Sequence, residues 1–238
     1  MEEIQFPILK GVKFYLCGGA VRDILLNKEP KDLDFVMITN KSYDEVVKDI
    51  EKIGTVFLQK PEFLTIRCRL QRQVYDLVFP RGDGYYEDSR HPNNVVRLAS
   101  LEEDSKRRDF TINAMYMDNE ENIIDPLDGK FDIKRERIVT CGNPIDRFNE
   151  DPLRMLRALR FSIQLGFDID NECKEVIKKN AYLLNNISVD RIRDEINKML
   201  LKSPIKTVSY LYEYEFMPII CNKSLNFQVT NKRIKGIN

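Results

Sequence analysis

The sequence predicts an α/β domain followed by an all-α one. Short apolar runs, rich in β-branched and aromatic residues, alternate with a helical pattern through the first half. From about residue 144 the apolar spacing changes to the 3.6-residue period of amphipathic helices. A boundary near residue 140 follows, giving 1–140 as the mixed part, 141–203 as the main helical part, and 204–238 as a short helical remainder with a basic tail.

Taken in order, "FYLCGG" (14–19) and "LDFVMI" (33–38) read as strands around the helix-like "AVRDILLN". "SYDEVVKDIEKIG" reads as a helix ended by Gly54, in the position where glycine accepts left-handed backbone. "FLTIRCRL" and "RQVYDLVF" follow as strands, and "PRGDGYYEDSRHPNN" (80–94), with turn formers and no period, as a long loop of the kind that carries function. The helical half is built from "DPLRMLRALRFSIQLGF", "NECKEVIKKNAYLLNN" and "VDRIRDEINKMLL", with Ser188 placed to cap the last. The tail, 221–238, carries four basic and no acidic residues and is expected to be partly disordered.

Composition excludes several chemistries. The 238 residues suffice for a sizeable core, and 38 basic against 38 acidic side chains leave no global field to draw a polyanion, so nucleic-acid binding would rest on local clusters. Five scattered cysteines (17, 68, 141, 173, 221) without a C-x-x-C pair argue against a disulfide framework or zinc knuckle and for a reducing compartment. The start, "MEEIQFPILK", lacks a signal pattern, and no apolar run approaches the roughly 18–20 residues that span a bilayer, so a cytoplasmic protein is expected. His91 is the only histidine, which leaves carboxylates and arginines to carry any catalysis.

Two stretches suit phosphate chemistry. In "LCGGAVRD" (16–23) a strand runs through two glycines into a helix, an arrangement that lets an anion approach backbone N–H groups, with Arg22 able to add a charged contact. Taken alone, the two glycines are explained more simply by a tight strand-to-helix turn that needs glycine for backbone reasons. In "KDLDFVMI" (31–38) extended backbone puts Asp32 and Asp34 on one face, and Leu33 and Phe35 on the other. Paired hard carboxylates suit Mg²⁺, which commonly sits between one or two carboxylates and substrate phosphates; without a cation they would repel or stay solvated. Asp76, on a strand face with Val74 and Val78, either adds a third carboxylate or is a partly exposed strand acid. Further on, Asp151, Arg154, Arg157 and Arg160 recur every three residues opposite Leu153, Leu156 and Leu159. A solvated helix face explains such a stripe, and Asp151 before Pro152 also fits a helix cap.

"GGAVRD" with "KDLDFVM" resembles the nucleotidyltransferases that share the DNA polymerase β type of head. With "EEDSKRRDFTINAMYMD" (102–118), "DPLDGKFDI" (125–133), "RFNEDPLRMLRALRF" (147–161) and "ISVDRIRDEINKML" (187–200) in order, the chain is similar to the class II CCA-adding tRNA nucleotidyltransferases and bacterial poly(A) polymerases over residues 13–201. The resemblance implies a nucleotidyltransferase head of small mixed sheet and flanking helices, a hinge at "DPLDG", and an all-α neck that binds the nucleotide base. It implies that Asp32 and Asp34 are catalytic and hold two Mg²⁺ ions, that Gly19, Arg22 and Arg108 face the nucleotide with Asn113 beside them, and that Asp151 and Arg154 read the base while Arg157 and Arg160 back the groove or the triphosphate.

The implied activity is addition of CMP and AMP, from CTP and ATP, to the tRNA 3′ end. Its selectivity has a physical basis: cytosine and adenine offer an amino donor beside a ring-nitrogen acceptor, which a carboxylate and a guanidinium match. Uracil and guanine reverse both groups, at about 1–3 kcal/mol per unsatisfied polar group. The poly(A) polymerases generally carry a "GRRFR" type run where this chain has "PRGDGYYEDSRHPNNVV", closer to the CCA-adding loop, with Asp83 loosely matching its usual acid. Members of the family continue into domains that clasp the tRNA, so a homodimer, a partner chain or a non-catalytic RNA-binding role are alternatives raised by the chain's length.

Overall fold

The structure, a computed structural model, describes residues 4–30, 32–82 and 95–222. The strands of the first half are β1 (Lys13–Cys17), β2 (Asp34–Ile38), β3 (Thr55–Lys60), β4 (Thr65–Leu70), β5 (Gln73–Val78), β6 (Arg81–Gly82), β7 (Val96–Arg97), β8 (Tyr116–Met117) and β9 (Ile123–Ile124). Between them lie α1 (Gly19–Leu25), α2 (Tyr43–Ile53) and α3 (Leu101–Lys106). Seven strands form one twisted sheet in the order β3-β4-β5-β2-β1-β8-β9, antiparallel except where β2 runs parallel to β5.

Alternation along β2 sorts the two faces. Phe35 and Met37 pack with Val21 of α1, Val46 and Ile50 of α2, and Ile66 and Leu77 of neighbouring strands. Val36, one position out of phase, packs on the other face with Cys17, Tyr116 and Leu101 of α3. Asp34 shares the parity of Val36, so the α3 side is where its carboxylate emerges. Helix starts follow their caps: Ser42 and Glu45 close a capping box at α2, and Ser100 accepts from the Glu103 N–H at α3.

The second half contains α4 (Gly129–Lys134), α5 (Pro144–Glu150), α6 (Leu153–Leu165), α7 (Asn171–Asn180), α8 (Val189–Lys202), α9 (Pro204–Glu213) and α10 (Met217–Asn222), with a short parallel pair β10 (Arg137–Ile138) and β11 (Asp168–Ile169). Its core is centred on α6, whose Met155, Leu156, Leu159 and Ile163 meet Ile177 of α7, Ile192, Ile196 and Met199 of α8, and Leu211 of α9. Phe110, Ile112 and Ile138 pack into the same core. No helix among the described residues is long and apolar enough to cross a membrane.

Several local expectations change. β3 is an edge strand with mostly exposed side chains, so it lacks the alternation by which a strand is recognised. The run 171–186 is one α-helix followed by a 3₁₀ turn, Ala181–Asn186. The long loop is narrowed at its base by the β6–β7 pair, while its tip, including Asp83 and His91, and the tail beyond Asn222 lie outside the described residues. Gly54 does follow α2, but with extended backbone, φ −160° and ψ −156°. Glycine is needed there for space: a Cβ would lie 2.2 Å from the Arg69 carbonyl oxygen and 2.8 Å from a Leu70 methyl. Gly54→Ala is therefore expected to cost about 1–3 kcal/mol by overpacking β4, seen as a lower urea midpoint with an unchanged slope.

Candidate active site

Antiparallel pairing of β1 with β2, with Leu16 opposite Phe35, brings the end of β1 and its glycine turn to the start of β2. Asp34 opens β2, and Asp32 stands two residues before it; both are exposed. Across the parallel pair, Asp34 faces Asp76 in register, and Asp76 lies 3.6 Å from the Arg67 guanidinium. Partial burial first, and the charges of Asp76 and Asp32 next, push the Asp34 carboxyl above the usual carboxylate range, against the pull of Arg108. Repulsive carboxylates at an open strand end are what a hard divalent cation relieves, and their oxygen donors suit an ion that completes its shell with phosphate and water. Among the described residues no group of three or more His, Cys, Asp or Glu side chains is placed to hold a metal ion.

Gly18, at φ +73°, makes the turn into α1, and a Cβ on it would come within 3.3 Å of Arg108 Nη1. Arg22, buried at 8% exposure, donates to Asn113 Oδ1 at 2.7 Å and to Asp23 Oδ1 at 2.9 and 2.7 Å. Arg108 donates to Asp104 Oδ2 at 3.0 and 3.2 Å and to the Tyr116 hydroxyl at 3.1 Å, while that hydroxyl donates to Asp104 at 2.8 Å. Asp104 is fully buried; burial raises its carboxyl, but Arg108, Arg107 and the Tyr116 hydroxyl outweigh it and hold the group below its ordinary value. Arg107 and Arg108, immediately after α3, thus close back on its buried Asp104 at the i+3 and i+4 spacing.

The arginine stripe of α6 is equally occupied. Arg154, 7% exposed, donates to Glu150 Oε2 at 2.9 Å and to the carbonyls of Arg147 and Arg107 at 3.2 and 2.9 Å. Arg157 grips Asp109 Oδ2 at 2.9 and 2.5 Å, and Arg160 donates to Glu195 at 2.5 Å and Gln164 at 2.8 Å. Asp151 follows α5 and precedes Pro152, the residue before α6; its Oδ1 accepts from the Leu153 N–H at 3.1 Å, and its Oδ2 accepts from Arg191 at 2.9 Å. The guanidiniums of Arg22, Arg157 and Arg160 stand 5.2, 5.4 and 4.1 Å from the centre of the Phe161 ring.

These groups line one cleft of about 480 Å³ between the sheet end and α6. It brings together Gly19, Arg22, Asp34, Arg108, Asp151, Arg154, Arg157 and Arg160, while Asp32 sits beside Asp34 just off the lining. Arg81, Arg107 and Arg191 join them, so eight arginines and three aspartates, Asp34, Asp109 and Asp151, line the cleft, while Asp23, Asp104, Glu150 and Glu195 behind the lining supply most of the remaining countercharge. Sequence reasoning missed Arg191 and Glu195. The signal for Glu195 was available: it falls on the apolar face set by Ile192, Ile196 and Met199, where a charge needs a partner.

The family model described as "Poly A polymerase head domain" matches residues 14–139. The chain belongs to this family. A second model, "Probable RNA and SrmB- binding site of polymerase A", matches residues 166–223. Among relatives of the family, the chain is 43% identical over 212 residues to the CCA-adding enzyme of Bacillus pumilus (strain SAFR-032), covering 87% of this chain and 52% of that protein. It is similar to the crystal structure of the Bacillus stearothermophilus CCA-adding enzyme in complex with CTP, at TM-score 0.73 and 34% identity over 85% of this chain and 48% of that one. A tRNA nucleotidyltransferase complexed with a primer tRNA and an incoming ATP analog aligns at TM-score 0.70 and 32% identity, over 88% of this chain and 59% of that one. The chain thus spans about half the length of these relatives. The head is the polymerase β type that the motifs implied.

The Asp109–Arg157 pair gives a stability test. Burial raises the Asp109 carboxyl, but Arg157 and Asn113 outweigh it and bring it down to about 2. A depressed carboxylate adds stability above its unfolded value, about 3.9, and loses it as pH falls toward the folded value. Arg157→Ala, which strands the charge, is expected to cost about 3–5 kcal/mol at pH 7. Urea midpoints should show that deficit shrinking toward pH 4, because the unpaired Asp109 is protonated more readily.

Proposed function

We propose that this chain is the nucleotidyl-transferring part of a CCA-adding enzyme, joining CMP and AMP from CTP and ATP to the tRNA 3′ end without a nucleic-acid template. One observation carries the reading: a single cleft sets the Asp34 carboxylate and the Gly18–Gly19 turn on one wall and the Asp151–Arg154 pair on the other. That spacing of acid, phosphate-binding and base-reading groups suits a nucleoside triphosphate lying across it. Asp32 and Asp34 would hold the divalent cation, Mg²⁺ by the hardness of their oxygens. When bound, such an ion supplies positive charge to the triphosphate and acidifies the terminal 3′-hydroxyl.

The chain's own residues set the rest. Arg22 and Arg108, fixed by Asp23, Asn113 and Asp104, are the preorganised donors for the phosphate oxygens. Asp151 accepts the exocyclic amino group of C or A, and Arg154 donates to the ring nitrogen. Arg157 and Arg160, held by Asp109 and Glu195, form the floor behind them. Asp76, in register with Asp34, is the nearest further carboxylate to the cation site. The part of the relatives' length that this chain does not span would come from further chain, a partner or a second copy, in the cytoplasm where these substrates meet.

Labelled CTP or ATP with Mg²⁺ and tRNAs ending before or within CCA tests this reading. C-C-A addition supports it; A alone, long A tails or no incorporation would point instead to an A-adding relative, a poly(A) polymerase or a non-catalytic RNA-binding chain. Asp34→Asn and Asp32→Ala are each expected to abolish incorporation while leaving the melting curve cooperative. Arg154→Ala should lose the preference for C and A over U and G, and because its guanidinium also ties Arg107 and Glu150, its melting temperature should fall too.

A further inference from the structure

We infer that the uncovered face of β3, β4 and β5 is a platform for the single-stranded 3′ end of the RNA substrate, holding the nucleotides that precede the reacting hydroxyl; this rests on the reading of the cleft as a nucleotidyl-transfer site for RNA. Residues directly opposite each other in a sheet share a face. Register therefore runs one row across four strands, with Leu58 opposite Arg67, Arg67 opposite Asp76, and Asp76 opposite Asp34. A second row sets Thr55 opposite Arg69 and Arg69 opposite Val74. α3 covers the β2 part of this face, where Leu101 clusters with Val36 and Tyr116. Farther out the cover stops: Phe57, Leu58, Arg67, Arg69 and Val74 are all exposed.

The opposite face already supplies the core. Ile66, Cys68, Leu70, Tyr75 and Leu77 are buried there with Val21 of α1 and Val46 and Ile50 of α2. The outer groups are thus free of any packing duty, and a contiguous exposed set of this kind marks a contact surface. Its chemistry suits a polyanion with flat bases. The three strands carry Lys60, Arg67 and Arg69 against a single acid, Asp76, a positive surface on a chain of zero net charge. The Arg69 guanidinium stands 5.1 Å from the centre of the Phe57 ring, and both are the kind of planar group on which unpaired bases stack. Arg67 lies 3.6 Å from Asp76, with 54% of its side chain exposed; an ion pair so open to water holds weakly, which leaves the guanidinium able to turn to a phosphate. Neighbouring strands lie about 4.8 Å apart, so Arg67, two strands from Asp34, is roughly 10 Å from the cation site along the row. That is within reach of the phosphates just before a hydroxyl held at Asp34. A duplex would keep its bases inside its own stack, and an extended peptide added at the β3 edge would pair through its backbone and leave both arginines unused.

The test compares two labelled RNA hairpins with one stem, the first blunt and the second ending in a short 3′ single strand. Their binding to the whole chain is followed by fluorescence anisotropy over a range of salt, without nucleotide. The wild type should bind the overhung hairpin more tightly than the blunt one. Arg67→Ala/Arg69→Ala should weaken the overhung hairpin about tenfold and lower its salt slope by about 1.4, the release expected for two single-strand phosphates, with the blunt hairpin nearly unchanged. Phe57→Ala should also cost about tenfold, the scale of one lost base stack, but keep the salt slope. If the double alanine variant does not melt cooperatively, Arg67→Gln/Arg69→Gln is read the same way. An overhung hairpin bound as tightly by the double variant as by the wild type, an equal loss on both hairpins, or a wild type that does not tell them apart overturns the inference. So does a dimer, seen by sedimentation, that the double substitution dissociates with RNA affinity kept, since a second copy then covers the face. CTP affinity, measured by calorimetry with Mg²⁺, locates the effect: a loss in the double variant shared by CTP puts the arginines in the cleft and also overturns it. A wild type that binds no CTP brings down the reading of the cleft, and differs from failure of the platform, which leaves CTP affinity in place.

Discussion

The grip of Arg157 on Asp109 joins the two halves of the molecule at the cleft. Asp109 stands at the end of the short segment that follows α3, and Arg157 projects from the middle of α6. A carboxylate that deep cannot be left alone, because desolvation of an unpaired charge costs far more than a lost hydrogen bond. The same segment is bound twice more from the helical side, by Arg147 to the Lys106 carbonyl at 2.8 Å and by Arg154 to the Arg107 carbonyl at 2.9 Å. Arg108, between these anchors, cannot shift without disturbing them, so Arg108 and Arg154 are tied to one piece of backbone.

Around that joint, charges are matched almost one to one. Arg22 meets Asp23, Arg107 and Arg108 share Asp104, Arg154 meets Glu150, Arg160 meets Glu195, and Arg191 meets Asp151. Such pairs need not stabilise the fold more than apolar packing would. What they do is fix orientation: a guanidinium held by its own acid offers its other edge in one direction. The glycine turn serves the same end, since bare backbone at Gly18 lets Arg108 lie against it.

Much of this was legible in the sequence. Period-two alternation separates Asp34 and Val36 from Phe35 and Met37 along β2, although the strand begins only at Asp34 and leaves Asp32 before it, and the change to a helical period coincides with α5 and α6. The three-residue recurrence of Asp151, Arg154, Arg157 and Arg160 identified a polar stripe but not its state, because its partners Asp109, Glu195 and Arg191 lie 35–48 residues away and only the tertiary fold brings them in. β3 escaped notice because an exposed edge strand needs no apolar alternation. Gly54 was recognisable as a helix stop, but its cause is steric and lies on β4, which no local rule could supply.

The Phe161 ring, packed edge-on to Phe110 at 5.7 Å, lies under guanidiniums from both walls of the cleft. An aromatic face attracts cations without demanding the fixed angle of a hydrogen bond. It therefore backs the three guanidiniums with one dry surface while Asp23, Asp109 and Glu195 hold their edges. A leucine at the same position would fill the space but offer the cations no π face, so the ring does in one side chain what packing and countercharge otherwise do separately.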